Sequence, residues 1–348
     1  MEKGNITASG KRKAGISLVL VILLLIFVLL TRHMLPEEAK EVSRTDFVLN
    51  TAVTITIYGE DSHAEAYLQE CFAICREYEA ICSRTKEDSE LAIINRQLKE
   101  GVQQFTVSSE LANIINAGLS YGKMTKGAFD ITIEPVSSQW DFTGEKPVVP
   151  SQAAITAALP KVSVENVVLV GRTLVFKEAG MGLDLGGIAK GYIADRIKEY
   201  LIEKEVKSAV INLGGNVLCV GERPEGRDFR IGIQLPFGDY QETIAAVSCK
   251  DSSIVTSGIY ERYFIQEETL YHHILNPKTG YPCENNLVGV TILSPSSVEG
   301  DGLSTSCFML GLEEGMQLIN SMEDVYAIFI TEDKELHYSK GAEEFLLE

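Results

Sequence analysis

The pattern of apolar and polar positions divides the chain into stretches of different period. Near the N-terminus, Gly15–Leu30 is apolar apart from Ser17 and shows no periodicity. Phe47–Tyr58 (FVLNTAVTITIY) alternates and is rich in β-branched residues, which predicts a strand. Ala64–Cys82 then changes period: Tyr67, Leu68, Cys71, Ile74, Cys75, Tyr78 and Ile81 recur at helical spacing. Ser89–Asn95 predicts a short helical turn, and Ser109–Lys123 a second helix that stops near Gly122 and Gly127. Gly127–Pro135 reads as a turn running into a strand. Ser137–Pro150 holds the sole tryptophan, Trp140, among polar and proline residues, and predicts an exposed loop.

Beyond it, Ser151–Leu159 predicts a helix, and Val162–Val170 and Thr173–Phe176 predict strands around Gly171 and Arg172. Asp184–Asp195 starts as an acidic, glycine-rich turn and becomes an apolar-periodic helix. Further strands are expected at Ser208–Leu213, Phe229–Leu235, Thr243–Cys249, Tyr260–Gln266, Val288–Ser294, Val325–Thr331 and Glu335–Tyr338. His272–Pro282 reads as a loop and Ser297–Leu310 as a helix. Strands come in runs with helices between them, so the fold class is α+β rather than a regular βαβ alternation.

Composition narrows this picture. A chain of 348 residues can form one large or two ordinary domains with ample core. Its formal charge of -18 excludes a general nucleic-acid binder, which needs a basic footprint. An acidic protein that binds an anionic cofactor must neutralise it locally, by a cation or by backbone N–H groups. Lys3, Lys11, Arg12 and Lys13 precede the apolar run, Arg32 and His33 close it, and no small-residue cleavage site follows. We read a basic cytoplasmic tail (1–14), an uncleaved signal anchor crossing the membrane (15–33), a linker (34–45, polar over Pro36–Arg44) and an extracytoplasmic domain (46–348). The seven cysteines show no C-x-x-C pair and no regular spacing, which argues against a disulfide framework. Cys71, Cys75 and Cys82 share a helix face, where they act as small apolar residues or, as the weaker reading, hold zinc.

Three stretches carry chemistry. Gly186 and Gly187 allow close backbone approach, and the helix behind them opens with N–H groups, a positive dipole end and Lys190, which suits an anion such as a pyrophosphate. The plain alternative is a loop under a sheet with Lys190 in solvent. No G-x-x-x-x-G-K-[ST] occurs, and Gly180-Met-Gly182 lacks the third glycine of G-x-G-x-x-G. Second, of five histidines only His272 and His273 enter a polar, proline-stiffened loop, where a structural and a catalytic role are both open. Third, Asp301 and Thr305 stand one helical turn apart. Their oxygens make either part of a shell for a hard cation or a plain hydrogen bond.

Read together, the stretches Asp88–Asn95, Gly127–Asp130, Asp184–Gly191, Asn212–Asn216, Ser257–Tyr263, His273–Gly280 and Asp301–Thr305 resemble the ApbE family of FAD:protein FMN transferases. Each is weak alone; seven in this order are specific. The resemblance runs from about Phe47 to the last strands and implies ApbE-like mixed sheets with packed helices, here behind a membrane-spanning helix. It implies an FAD site at Ala128, Phe129, Asp130, Asp184, Lys190 and the backbone of Leu275. It also implies a magnesium site from the Gly187 carbonyl with Asp301 and Thr305, and catalytic roles for His273 and Asp301. The implied reaction moves FMN from FAD to a Ser or Thr hydroxyl of an exported or membrane redox flavoprotein and releases AMP.

Two positions depart from the family pattern. Leu49-Asn50-Thr51 stands where Met-Gly-Thr is common, and Thr85 where many relatives carry an aromatic residue over the flavin or adenine. Three rivals remain at this level: a magnesium-dependent FAD pyrophosphatase, a non-catalytic exported flavin carrier, and a purely structural membrane-anchored protein.

Overall fold

A computed structural model describes residues 40–347 apart from Thr143, Glu145, Lys146 and Tyr240. The basic tail, the apolar segment of 15–33 and the first part of the linker lie outside the described residues. Within them, no helix is long and apolar enough to cross a membrane.

The scaffold is one eight-stranded antiparallel sheet whose strands lie side by side in chain order. Numbering the strands of this sheet alone, they are β1 (Glu41–Val48), β2 (Thr51–Tyr58), β3 (Ser208–Leu213), β4 (Asn216–Gly221), β5 (Ser253–Gly258), β6 (Leu287–Ser294), β7 (Tyr326–Thr331) and β8 (Leu336–Tyr338). Among the described residues, five longer helices accompany them: α1 (Ala64–Cys82), α2 (Glu90–Lys99), α3 (Ser109–Met124), α4 (Ala189–Glu203) and α5 (Ser297–Asn320). Small antiparallel ribbons pair Phe229–Gln234 with Thr243–Cys249 and Tyr263–Gln266 with Thr269–His272, and join Gln104–Thr106, Thr173–Phe176 and Val167–Val170. The mixed α+β architecture expected from the pattern is therefore present.

One buried cluster lies where α1, α3 and α4 cover β1–β3, with Ile55, Leu68, Phe72, Ile114, Ile197 and Ile211 inaccessible to solvent. A second lies where α5 covers β5–β7, around Val290, Ile292, Phe308 and Phe329. A third, smaller cluster is aromatic and includes Trp140, Phe264 and Leu275.

Several expectations change. Phe47–Tyr58 is not one strand: Leu49 and Asn50 take φ of 57° and 58°, closing a two-residue hairpin between β1 and β2. The alternation continues through the turn, so periodicity alone cannot see it. Glu41–Arg44, read as linker, form the first half of β1, and their polar residues fit a half-exposed edge strand. The expected strand after Gly127 is absent. Thr132 N–H and Oγ1–H both donate to Asp130 Oδ1, at 2.7 and 2.6 Å, which bends the chain, and a short helix follows at Glu134–Ser137.

Trp140 is not in an exposed loop: it is 4% exposed, and its indole N–H donates to Gly280 O at 3.0 Å. The Val162–Val170 strand begins only at Val167, after a 3-10 turn, and Tyr260–Gln266 begins only at Tyr263. The last helix extends past Leu310, but Gly311, at φ 79° and ψ 176°, breaks it one residue beyond the expected end. The three α1 cysteines are buried free thiols pushed up to about 12 by burial, and the described residues hold no three His, Cys, Asp or Glu side chains grouped for a metal. They pack as apolar residues, and the zinc reading falls.

Candidate functional site

Alternate connections of an antiparallel meander share one end of the sheet. Here the β1–β2 turn, the β3–β4 turn and the long β5–β6 connection gather at such an end. The β3–β4 turn is Gly214-Gly215, at φ 63° and 88°, a geometry glycine adopts without steric cost. Between these connections and the glycine-rich start of α4 lies a cavity of about 720 Å³. Its wall includes every residue that the family resemblance assigns to the site: Ala128, Phe129, Asp130, Asp184, Gly187, Lys190, His273, Leu275, Asp301 and Thr305.

The floor is the crossing of α4 and α5. A Cβ on Gly191 would collide with the Ser297 carbonyl and lie 2.7 Å from Asp301 Cβ, so only glycine permits this approach. The Gly191 amide donates to Asp301 Oδ2 at 2.8 Å. In return, Asp195 of α4 caps α5, its Oδ1 and Oδ2 accepting from Ser297 and Val298 N–H at 2.8 and 2.9 Å. Asp301 is 4% exposed, and burial raises its pKa while Lys190 and the Gly191 amide pull it back. Thr305 Oγ1 lies 3.2 Å from Ser257 Oγ, which is itself 2.8 Å from Ser304 Oγ. A Cβ on Gly187 would lie 3.4 Å from Thr305 Oγ1, which sets the Gly187 backbone beside that hydroxyl. One carboxylate, one hydroxyl and one carbonyl suit a hard cation that keeps water and phosphate oxygens as its other ligands.

His272 and His273 separate cleanly. His272 Nε2–H donates to Cys283 O at 3.2 Å while Nδ1 accepts from Ile274 N–H at 3.3 Å, so both ring nitrogens are spent on the backbone. Burial lowers its pKa to about 4. His273 lines the cavity, and its Nδ1 lies 3.3 Å from Arg262 O. A carbonyl only accepts, so Nδ1 carries the proton and Nε2 keeps its lone pair. Desolvation first, then the Arg262 and His272 charges, lower its pKa to about 3, leaving a neutral imidazole.

Asp130 lines the cavity as expected, with its carboxylate bonded within the protein. Its Oδ1 takes the two Thr132 bonds and its Oδ2 accepts from Val164 N–H at 3.1 Å. The carboxylate therefore shapes the turn that presents Ala128 and Phe129. Asp184 is also tied: Oδ1 accepts from Gly186 N–H at 3.0 Å, and Oδ2 meets Ser137 Oγ at 2.8 Å and Arg84 Nε at 2.9 Å. Asn95 clamps the neighbouring Leu183 through two 2.8 Å bonds, which explains the Asp88–Asn95 stretch as scaffold. Lys190 Nζ reaches Gly214 O at 3.4 Å.

Sequence reasoning missed four wall residues. Arg84 pairs with Asp184, and Ser257 joins Thr305. Glu261 is an exposed residue that lines the cavity. Desolvation raises its pKa, while Lys190 and Arg262 lower it. Arg262 Nη2 donates to Asn50 O at 3.2 Å, tying the β5–β6 connection to the β1–β2 turn. Three of the four sit in the Ser257–Tyr263 stretch, to which the family resemblance assigns no role.

A family model described as the ApbE family matches residues 49–329. This chain belongs to the ApbE family. Among curated relatives, a FAD:protein FMN transferase of Klebsiella pneumoniae is 36% identical over 291 residues, spanning 83% of this chain and 89% of the relative. One of Treponema pallidum is 33% identical over 321 residues, spanning 87% and 88%. Among solved structures, the ApbE protein of Thermotoga maritima superposes with a TM-score of 0.82 at 29% identity, covering 89% of this chain and all of the other. The flavin transferase ApbE of Vibrio cholerae gives 0.77 at 26% identity and covers 88% of this chain. The ApbE architecture expected from the sequence is thus the observed one.

Proposed function

We propose that this ApbE-family chain transfers the FMN part of FAD to a serine or threonine hydroxyl of an acceptor protein, releasing AMP. The transferase names of its relatives over most of its length support the activity. What carries the residue-level reading is the convergence, on one cavity wall, of the Asp301 and Thr305 oxygens with a neutral imidazole whose Nδ1 is already engaged.

In this reading Asp301, Thr305 and the Gly187 carbonyl hold magnesium. When bound, such an ion would neutralise the charge that develops on pyrophosphate oxygens. Lys190 and the amide-rich start of α4 bind the same anion. Phe129, the turn behind it and the Leu275 backbone line the space for the flavin and adenine. His273 Nε2 accepts the proton of the acceptor hydroxyl as its oxygen attacks the FMN-side phosphorus. The phosphoanhydride bond to AMP breaks, and AMP leaves with the electron pair. Asp195 and Asp130 act only by holding α5 and the Ala128–Phe129 turn in place.

The N-terminal apolar segment would anchor the chain in a membrane with the catalytic domain on the extracytoplasmic side. Acceptors would then be exported or membrane redox flavoproteins. The test is to incubate the protein with FAD, magnesium and a candidate acceptor domain, and to weigh the intact acceptor. A gain of one FMN, lost with chelator, supports the reading. Free FMN and AMP beside an unmodified acceptor would replace it with a pyrophosphatase, and unchanged FAD with a binding role.

A further inference from the structure

Away from the cavity, Cys219 and Cys249 come from different layers to one place. Cys219 sits in β4 of the central sheet, and Cys249 ends the outer ribbon formed by Phe229–Gln234 and Thr243–Cys249. Both belong to the same buried cluster. One carbonyl locates them: Ser252 O accepts from Cys219 N–H at 2.9 Å and from the Cys249 thiol at 3.3 Å. Ser252 Oγ lies 3.3 Å from the Cys249 sulfur as well, and the Cys219 and Cys249 thiols act on each other electrostatically.

The pair's surroundings differ from those of the other sulfurs. Cys71, Cys75, Cys82 and Cys307 are pushed up to about 12 by burial, and Cys283 is also raised. The Cys249 thiol is instead drawn downward, first by the Cys219 thiol and further by Ser252 and Lys198. Lys198 is held there, 14% exposed, by Asp251 Oδ1 at 2.9 Å and Asp251 O at 3.0 Å. A thiol favoured as its anion beside a protonated neighbour is the arrangement from which disulfide exchange proceeds.

We propose that Cys219 and Cys249 are a disulfide-forming pair that staples the outer ribbon to β4. The oxidant is a small disulfide such as glutathione disulfide. The Cys249 thiolate attacks one of its sulfurs, forming a mixed disulfide and expelling a glutathione thiolate. Cys219, losing its proton, then attacks the Cys249 sulfur and expels the second. Two protein thiols and one glutathione disulfide become one protein disulfide and two glutathiones. Because both residues are buried, the exchange takes place as the ribbon closes during folding or when it opens briefly from β4.

The test uses the full-length protein in two arms, one kept native and one unfolded and refolded, each in a reduced/oxidised glutathione buffer. Remaining thiols are alkylated, and the chain is weighed and mapped by peptide. The expected result is loss of two of the seven free thiols, with the Cys219 and Cys249 peptides joined. The oxidised protein should also unfold at higher temperature than the reduced one, a difference absent in Cys249→Ala and Cys219→Ala and kept in Cys307→Ser. A link formed only on refolding supports the pair and places the step before burial. Alkylation of all seven thiols in both arms, or a link mapping to other cysteines, overturns the proposal.

Discussion

Asp195 and Asp301 sit on either side of one helix crossing, and each accepts a hydrogen bond from the start of the opposite helix. Both are buried enough for desolvation to raise their pKa. Their difference lies in what remains. Asp195 gives each of its oxygens to a backbone amide of α5, which completes its work as a cap. Asp301 accepts from Gly191 through Oδ2 and has the Asn216 side chain favouring its charged form, while its wall of the cavity carries Thr305 and Lys190. Under the proposed function, identical side chains near one crossing divide into a structural and a chemical role, and the division follows which face of the crossing borders the cavity.

The sharpest way to break this comparison is Asp301→Asn. The amide oxygen can still accept from Gly191, and removing a carboxylate that burial already disfavours should leave the melting temperature unchanged or higher. Turnover in the acceptor-labelling assay should nonetheless fall by about 10³-fold, the scale of several kcal/mol of lost charge stabilisation. Unchanged turnover would put the cation elsewhere.

His273→Gln comes next, with an expected loss of about 10²-fold if the imidazole acts as general base. FAD binding, followed by flavin fluorescence, should be retained. Because His273 is neutral down to about pH 3 in the free protein, kcat/KM should show no histidine inflection near 6.5. Such an inflection, removed in the variant, would contradict the desolvated imidazole.

His272 supplies a stability counterpart. Its folded pKa, about 4, lies below the unfolded value of 6.5, so the unfolded chain takes up the proton first. The stabilisation from a neutral His272 is full above pH 6.5 and is lost as pH falls towards 4, on the order of 3 kcal/mol at most. The difference in unfolding free energy between wild type and His272→Gln should therefore shrink over that window; a pH-independent difference would refute it. The smallest effect belongs to Asp195→Ala, which removes two capping acceptors and should cost about 1–2 kcal/mol of stability. Activity per folded molecule should stay within a few-fold, the mirror image of Asp301→Asn.

Much of the site was legible because its chemistry is local in sequence. The Asp301–Thr305 spacing is one helical turn, and the glycines before α4 announce a close approach. The sequence could not divide labour among residues of one type. Asp130 looks like a ligand contact, yet its near neighbour Thr132 and the sequence-distant Val164 share its carboxylate. His272 and His273 became distinguishable only once Cys283 and Arg262 were placed beside them. The fold was least legible where strands lack alternation. β4 and β5 are covered on both sides and mix small polar residues such as Asn216, Ser253 and Ser257 with aliphatic ones, so no period-two signal survives. Trp140 was misplaced because its partners, Gly280 and Phe264, lie far along the chain.

That burial makes the protein its own spectroscope. Trp140 is the only tryptophan in the chain, it borders the cavity, and its indole is tied to the end of the loop that carries His273. Its ultraviolet emission overlaps the absorption of a flavin, so a bound isoalloxazine would quench it by resonance energy transfer. Occupancy of the cavity can then be followed by emission intensity in the unlabelled, unmutated protein, with no dye to attach.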